Sequence, residues 1–214
     1  MTLDSGQVFH WEKVGDGFVG AIGDLAVYVE QRGEALRARA DAGSVSDYFA
    51  LDHPLAEICD SFPKDPVMNA ARDFCRGLRI IRQPKWECLA TFICSSMKQV
   101  AHIRQISLAL RKRFGEPRRV GNHVVYTFPA ARRIGEASES MLRECALGYR
   151  AKNLRATARR VRSGEADLEV WSALSDLELR RPLCALPGVG PKIAHCVMLF
   201  TYERLRAFPL DVWI

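Results

Sequence analysis

Near residue 44 the hydrophobic period of this 214-residue chain changes from two to between three and four. Upstream, Phe9 and Trp11 alternate around His10, Phe18 to Ile22 form a short apolar run flanked by glycines, and Leu25, Val27 and Val29 share one face of a further strand. Gly23-Asp24 and Gly33 suit tight turns between such segments, so residues 7–40 are expected to form a small antiparallel sheet. Downstream the pattern is helical, and the chain is read as α+β: a small N-terminal antiparallel sheet packed on a mostly helical domain.

Ser46 or Asp47 is expected to cap a first helix carrying Tyr48 and Phe49. Pro54 opens a second with Leu55, Ile58 and Phe62, and Pro66 opens a third that ends at Gly77. Trp86 to Ser96 is apolar enough for a buried helix. Val100 to Phe114 is amphipathic, with Ile103, Ile106 and Leu110 on one face, and is stopped by Gly115-Glu116-Pro117. Residues 118–134 read as irregular, with 126–129 extended. Further helices are expected over 136–145, 150–162 and 167–174. The expected division is residues 1–75 and 76–214.

Charge separates along the same line. Residues 1–75 carry 6 basic and 13 acidic side chains, a net of −7, whereas residues 98–162 carry 16 basic and 4 acidic, a net of +12. A central block of that sign points to a polyanion, with a solvated helical surface as the alternative. The seven cysteines are odd in number, lie in mostly apolar surroundings and include no Cys-x-x-Cys pair. Reduced, buried thiols are therefore expected, with no zinc or iron–sulfur site from local spacing. Residues 1–11 lack the apolar core of a signal peptide, and no run of 18 apolar residues occurs, so an intracellular protein without a membrane span is expected.

The segment Leu183-Cys184-Ala185-Leu186-Pro187-Gly188-Val189-Gly190-Pro191-Lys192-Ile193-Ala194 carries the chemistry. A helix is expected to end near Leu186, a compact turn to follow, and a new helix to begin at Pro191, which suits a first-turn proline. The unsatisfied amides at that start, with Gly188, Val189 and Gly190 in the turn, form a phosphate-binding hairpin at about residues 178–202. A tight interhelical turn that never meets DNA is the alternative.

This pattern resembles the helix-hairpin-helix DNA glycosylases, and among them the 8-oxoguanine branch. Three further stretches resemble that branch in the same order: Leu3 to Trp11, Glu87 to Ser96, and Leu147-Gly148-Tyr149-Arg150-Ala151. The resemblance implies a catalytic lysine after the hairpin, matching Lys192, and a catalytic aspartate in Pro209-Leu210-Asp211-Val212, matching Asp211. It implies a base pocket with the Gly6 carbonyl accepting from N7 of 8-oxoguanine, and Cys196 lining the pocket. Tyr149 matches the wedge that fills the emptied stack, and Arg150 a reader of the estranged cytosine. Lys98, His102 and His195 are candidates for DNA contact. The implied activity is that of a glycosylase and AP lyase, acting as a monomer on double-stranded DNA carrying an oxidised purine, in a nucleoid or nucleus. It works through a lysine Schiff base and requires no cofactor or metal. Another purine-lesion glycosylase and a DNA-binding module without catalysis remain as alternatives.

The chain departs from the family at several points. Met97 replaces an asparagine that helps recognise cytosine, and methionine cannot make those hydrogen bonds. His195 stands where an acidic residue is common, and Trp213 replaces a phosphate-contacting histidine and is read as packing. The sequence ends three residues after Asp211, where the family continues into a helix that supplies an aromatic and a glutamine to the base pocket. It is therefore expected to be a fragment, poor in catalysis but retaining affinity for duplex DNA, with a protein that uses a reduced pocket as the alternative.

Overall fold

A computed structural model describes residues 2–211; Val212 and Trp213 lie outside the described residues. Four strands, β1 (Glu12–Val14), β2 (Gly17–Ile22), β3 (Leu25–Arg32) and β4 (Ala35–Arg39), form an antiparallel meander in that order. Leu25 pairs with Ile22 across the turn at Gly23-Asp24, and Ala35 with Arg32 across Gly33-Glu34, as the spacing predicts. The reading of 7–11 as strand is corrected. Gln7 to Trp11 precede β1 and all five are buried, His10 included at 5% exposure. They form a seam: Val8 and Trp11 join the apolar cluster of the sheet, while Phe9 joins the helical core. Trp11 lies against β2 where a Cβ on Gly20 would come within 2.6 Å of its ring, so that strand position needs glycine.

Helix α1 (Ala42–Tyr48) begins earlier than expected, capped by Asp41, whose carboxylate accepts from the Ser44 amide; Ser46 and Asp47 lie inside it. Helices α2 (Leu55–Asp60) and α3 (Pro66–Phe74) follow, the latter capped by Asp65. Then come α4 (Lys85–Ser95), buried nearly throughout, and α5 (Val100–Phe114), which ends at Gly115 as expected.

Residues 118–134 are not irregular. β5 (Pro117–Val120) and β6 (His123–Tyr126) form a hairpin, and Val120 and Val125 pack with Val19, Ala21 and Ala26 of the sheet. The arginine-rich strand Pro117-Arg118-Arg119-Val120 has too few apolar residues for alternation to stand out.

Helix α6 (Ala131–Glu136) comes next. The helix expected over 136–145 is α7 (Glu139–Leu142), running into a widened turn at Arg143–Leu147 where Ala146 sits at φ 63°. Helix α8 spans Arg150–Ser163, and 167–174 holds only a short turn of helix at Val170–Ala173. Helices α9 (Asp176–Cys184) and α10 (Pro191–Thr201) flank the hairpin. The main core is built on α4, which packs against α5, α8 and α10.

Polar contacts bind the sheet to the helices. Glu87 of α4 pairs with Arg111 of α5, and His10 places Nδ1 3.4 Å from the Glu87 carboxylate while Nε2 donates to the Ala21 carbonyl. Arg111 also donates to the Tyr126 carbonyl at 3.0 Å. Burial pushes the Glu87 carboxyl up and the Arg111 guanidinium down, each opposed by its partner, and burial holds His10 neutral well below its usual range. At the surface Arg82 spans Asp52 at 2.7 Å and Glu203 at 2.6 Å, joining the α1–α2 connection to the segment after α10.

Candidate active site

Ser175 opens α9 with a reciprocal capping box to Glu178, which fixes where the hairpin begins. Leu183, Leu186 and Val189 are buried and anchor the turn, while Gly188 and Gly190 face solvent. Gly188 sits at φ 82°, and a Cβ there would come within 2.9 Å of the Asn153 side chain. Thr157 of α8 donates to the Pro187 carbonyl at 2.9 Å. Among the described residues the amides of Gly188, Gly190 and Lys192 have no acceptor, so the turn and the start of α10 offer unsatisfied donors to solvent.

The first turn of α10 carries Lys192. Its ammonium donates to the Asp211 carboxylate, which the segment after α10 brings back across 19 positions. Both side chains are part-exposed, at 43% and 35%, so the pair is open to solvent. Cys196, one turn on from Lys192, is buried. Burial pushes its thiol up to about 11, with Lys192 lowering and Asp211 raising it, which puts its sulfur within the field of both groups. His195 points its Nδ1 at the Phe208 carbonyl, 3.0 Å away, rather than only into solvent.

A second group surrounds the loop between α4 and α5. Gly6, at φ 84°, lies against Val100 at the start of α5. Its segment is fixed by Gln7, whose amide donates to the Arg79 carbonyl and accepts from the Ile81 amide, while Gln83 donates to the Gln7 carbonyl. Arg150 is buried and donates from Nε to the Ser96 carbonyl at 2.7 Å. Tyr149 is exposed with its ring 4.3 Å from the Arg150 guanidinium carbon. Arg150 thus grips the loop that presents Met97, exposed at φ 54°, and the exposed Lys98, with His102 exposed on the first turn of α5.

The structure therefore joins Lys192, Asp211, His195 and Cys196 through α10, and Gly6, Lys98, His102, Tyr149 and Arg150 around residues 96–102. Helix α4 packs against both α8 and α10 and links the two groups. Sequence reasoning missed Gln7, Gln83 and the Arg82–Glu203 pair. Their partners are 76 and 121 positions away for Gln83 and Arg82, and no local pattern marks such contacts.

Residues 1–89 match the family described as 8-oxoguanine DNA glycosylase, N-terminal domain. The N-glycosylase/DNA lyase of Arabidopsis thaliana is 31% identical over 236 residues, covering 100% of this chain and 63% of that protein. The N-glycosylase/DNA lyase of Saccharomyces cerevisiae is 33% identical over 181 residues, covering 78% of this chain and 48% of that protein. The chain thus spans less than two thirds of either relative. The crystal structure of the Clostridium acetobutylicum 8-oxoguanine glycosylase/lyase, in complex with double-stranded DNA containing cytosine opposite 8-oxoguanine, superposes with a TM-score of 0.92 at 31% identity, covering 98% of this chain and 74% of that one. This chain belongs to the 8-oxoguanine DNA glycosylase family.

Proposed function

We propose that this chain acts as a bifunctional DNA glycosylase and AP lyase on 8-oxoguanine in double-stranded DNA, with Lys192 as nucleophile and Asp211 as its electrostatic partner. The observation that carries the reading is the Lys192–Asp211 pair at the start of the helix that follows the hairpin. A paired ammonium has no lone pair to attack with, so Lys192 must first give up its proton to water. The free amine then bonds to C1′ of the deoxyribose, and the bond from C1′ to the base breaks with its electron pair leaving on the base. Asp211 opposes the positive charge that grows on the sugar ring. Opening of the sugar gives a Schiff base on Lys192. Loss of a C2′ proton breaks the C3′–oxygen bond, the 3′ phosphate leaves, and water releases the lysine.

Around this step, the hairpin amides of Gly188 and Gly190, with that of Lys192, bind the DNA backbone without reading sequence; the Val189 amide, expected among them, instead donates to the Leu186 carbonyl at 3.1 Å and holds the turn. Tyr149 fills the emptied stack, and Gly6 and Cys196 line the base pocket. Lys98 and His102 contact the backbone. Arg150 reads the base opposite on leaving the Ser96 carbonyl that it holds in this structure, and because Met97 supplies no hydrogen bond, cytosine is preferred by a reduced margin; rates against all four opposing bases test this. The protein acts as a monomer on DNA inside the cell, with residues 1–75 and 76–214 as its two units.

Borohydride trapping on an 8-oxoguanine duplex tests the reading. A Schiff-base enzyme is covalently captured, and Lys192→Ala binds the duplex but is not captured. Equal capture of Lys192→Ala and the parent would remove Lys192 from its role.

A further inference from the structure

We propose that His195 is the positioning residue for Asp211: by donating from Nδ1 to the Phe208 carbonyl it sets the segment after α10 so that the carboxylate meets Lys192. The inference rests on Lys192 and Asp211 being the reacting pair. Up to residue 204 that segment is held many times over. Thr201 donates to the Gln83 carbonyl at 2.5 Å, Glu203 accepts from Arg82, and the Arg204 amide donates to the Met198 carbonyl at 2.9 Å. The Arg204 side chain reaches the Ser172 and Leu174 carbonyls at 3.0 and 2.8 Å.

Beyond Arg204 the anchoring thins. Ala207 rests against the core, but Leu205, Phe208 and Leu210 are exposed at 56%, 68% and 59%, so their side chains contribute little packing. Among the described residues from 205 to 210, the Leu205 and Ala207 amides donate back to Glu203 and Arg204 of the same connection, and the bond from His195 to Phe208 is the one that joins them to another element. It is made three residues before Asp211 and starts three residues after Lys192. Besides the Lys192–Asp211 pair itself, this side chain therefore ties the carboxylate's segment to the helix that holds the amine.

A carbonyl can only accept, so the hydrogen must sit on Nδ1. That requirement separates this role from a phosphate contact made by Nε2 on the outer edge of the ring. The side-chain nitrogen of asparagine lies the same number of bonds from Cβ as Nδ1, whereas that of glutamine lies one bond further, where Nε2 would be.

The test compares the parent with His195→Ala, His195→Asn and His195→Gln. Amide hydrogen exchange over residues 205–211 is measured with single-turnover excision on an 8-oxoguanine duplex and with duplex affinity as a function of salt. His195→Ala is expected to speed exchange in the segment and to slow excision 10- to 100-fold, since about 1 Å of misplacement can cost roughly 100-fold. Duplex affinity and its salt slope stay at the parent's values. His195→Asn recovers most of the rate and the protection, and His195→Gln does not. Unchanged exchange in His195→Ala, equal rescue by Asn and Gln, or a loss confined to affinity and salt slope would each overturn the proposal. If the parent itself neither excises nor is trapped, the proposed function fails, while the exchange measurements still decide what His195 holds.

Discussion

Lys192 of the first turn of α10 and Asp211, 19 positions later, meet as an ion pair, and Cys196 lies buried beside them. The carboxylate thus orients the nucleophile and stands ready to oppose charge on the sugar. Asp211→Asn keeps the shape and removes the charge. It should lower single-turnover excision on the order of 100- to 1,000-fold, the cost typical of removing one preorganised electrostatic partner. Duplex affinity should hardly change, because phosphate contacts carry it. A similar fall in affinity and rate would place Asp211 in binding instead.

Cys196 reports on the same pair. Burial, with help from Asp211, raises its thiol to about 11, against Lys192. Alkylation at pH 8 should modify the exposed Cys75 early and Cys196 late, as the thiolate is the reacting form. Peptide mass mapping over a pH series should show Cys196 labelling climb about tenfold per pH unit toward 11. The sign for stability follows: the folded thiol holds its proton more tightly than the unfolded one. This contribution is full below the unfolded value of about 8.5 and is lost as pH rises toward 11.

The Glu87–Arg111 pair is buried at 7% and 3% side-chain exposure, so removing one partner strands a charge. Glu87→Gln or Arg111→Met should cost about 3–5 kcal/mol of unfolding free energy in urea titrations. The double variant Glu87→Leu/Arg111→Met should lose less than either single change, because no charge is left behind. A double variant at the sum of the two losses would mean that the residues act separately.

How much of this was legible in the sequence depends on how local each signal is. The β2–β3 and β3–β4 turns, the limits of α5 and the start of α10 are set by neighbours within a few residues, and the sequence predicts them. The start of α1 went wrong because Asp41, the residue that caps it, is followed by Ala42-Gly43, which carries no apolar period. The buried state of His10 depends on Glu87 and Ala21, whose approach only the fold produces. Lys192 and Asp211 were found through family resemblance. The bond from His195 to Phe208 was not, since a histidine in a helix has no sequence signal that selects a carbonyl 13 positions on.

The two hairpin glycines separate architecture from binding. Gly188 combines φ 82° with a Cβ position 2.9 Å from the Asn153 side chain. Gly188→Ala therefore carries left-handed strain, about 1–2 kcal/mol, and a clash with α8 in addition. It should lower the unfolding midpoint and duplex affinity together, because the hairpin itself shifts. Gly190 differs. Its φ of −95° suits any residue, and a Cβ there meets nothing within 4 Å. Gly190→Ala should leave stability within about 0.5 kcal/mol of the parent, as for other open surface positions. The open space is nonetheless where a phosphate would approach the Gly190 and Lys192 amides, and a methyl group there would hold it off. Duplex affinity should fall, and if one phosphate contact is lost the salt slope should flatten by about 0.9. Fluorescence anisotropy with undamaged duplex at several salt concentrations reads both quantities. A Gly190→Ala protein that binds as tightly as the parent, with the same slope, would mean that DNA does not approach this face of the hairpin.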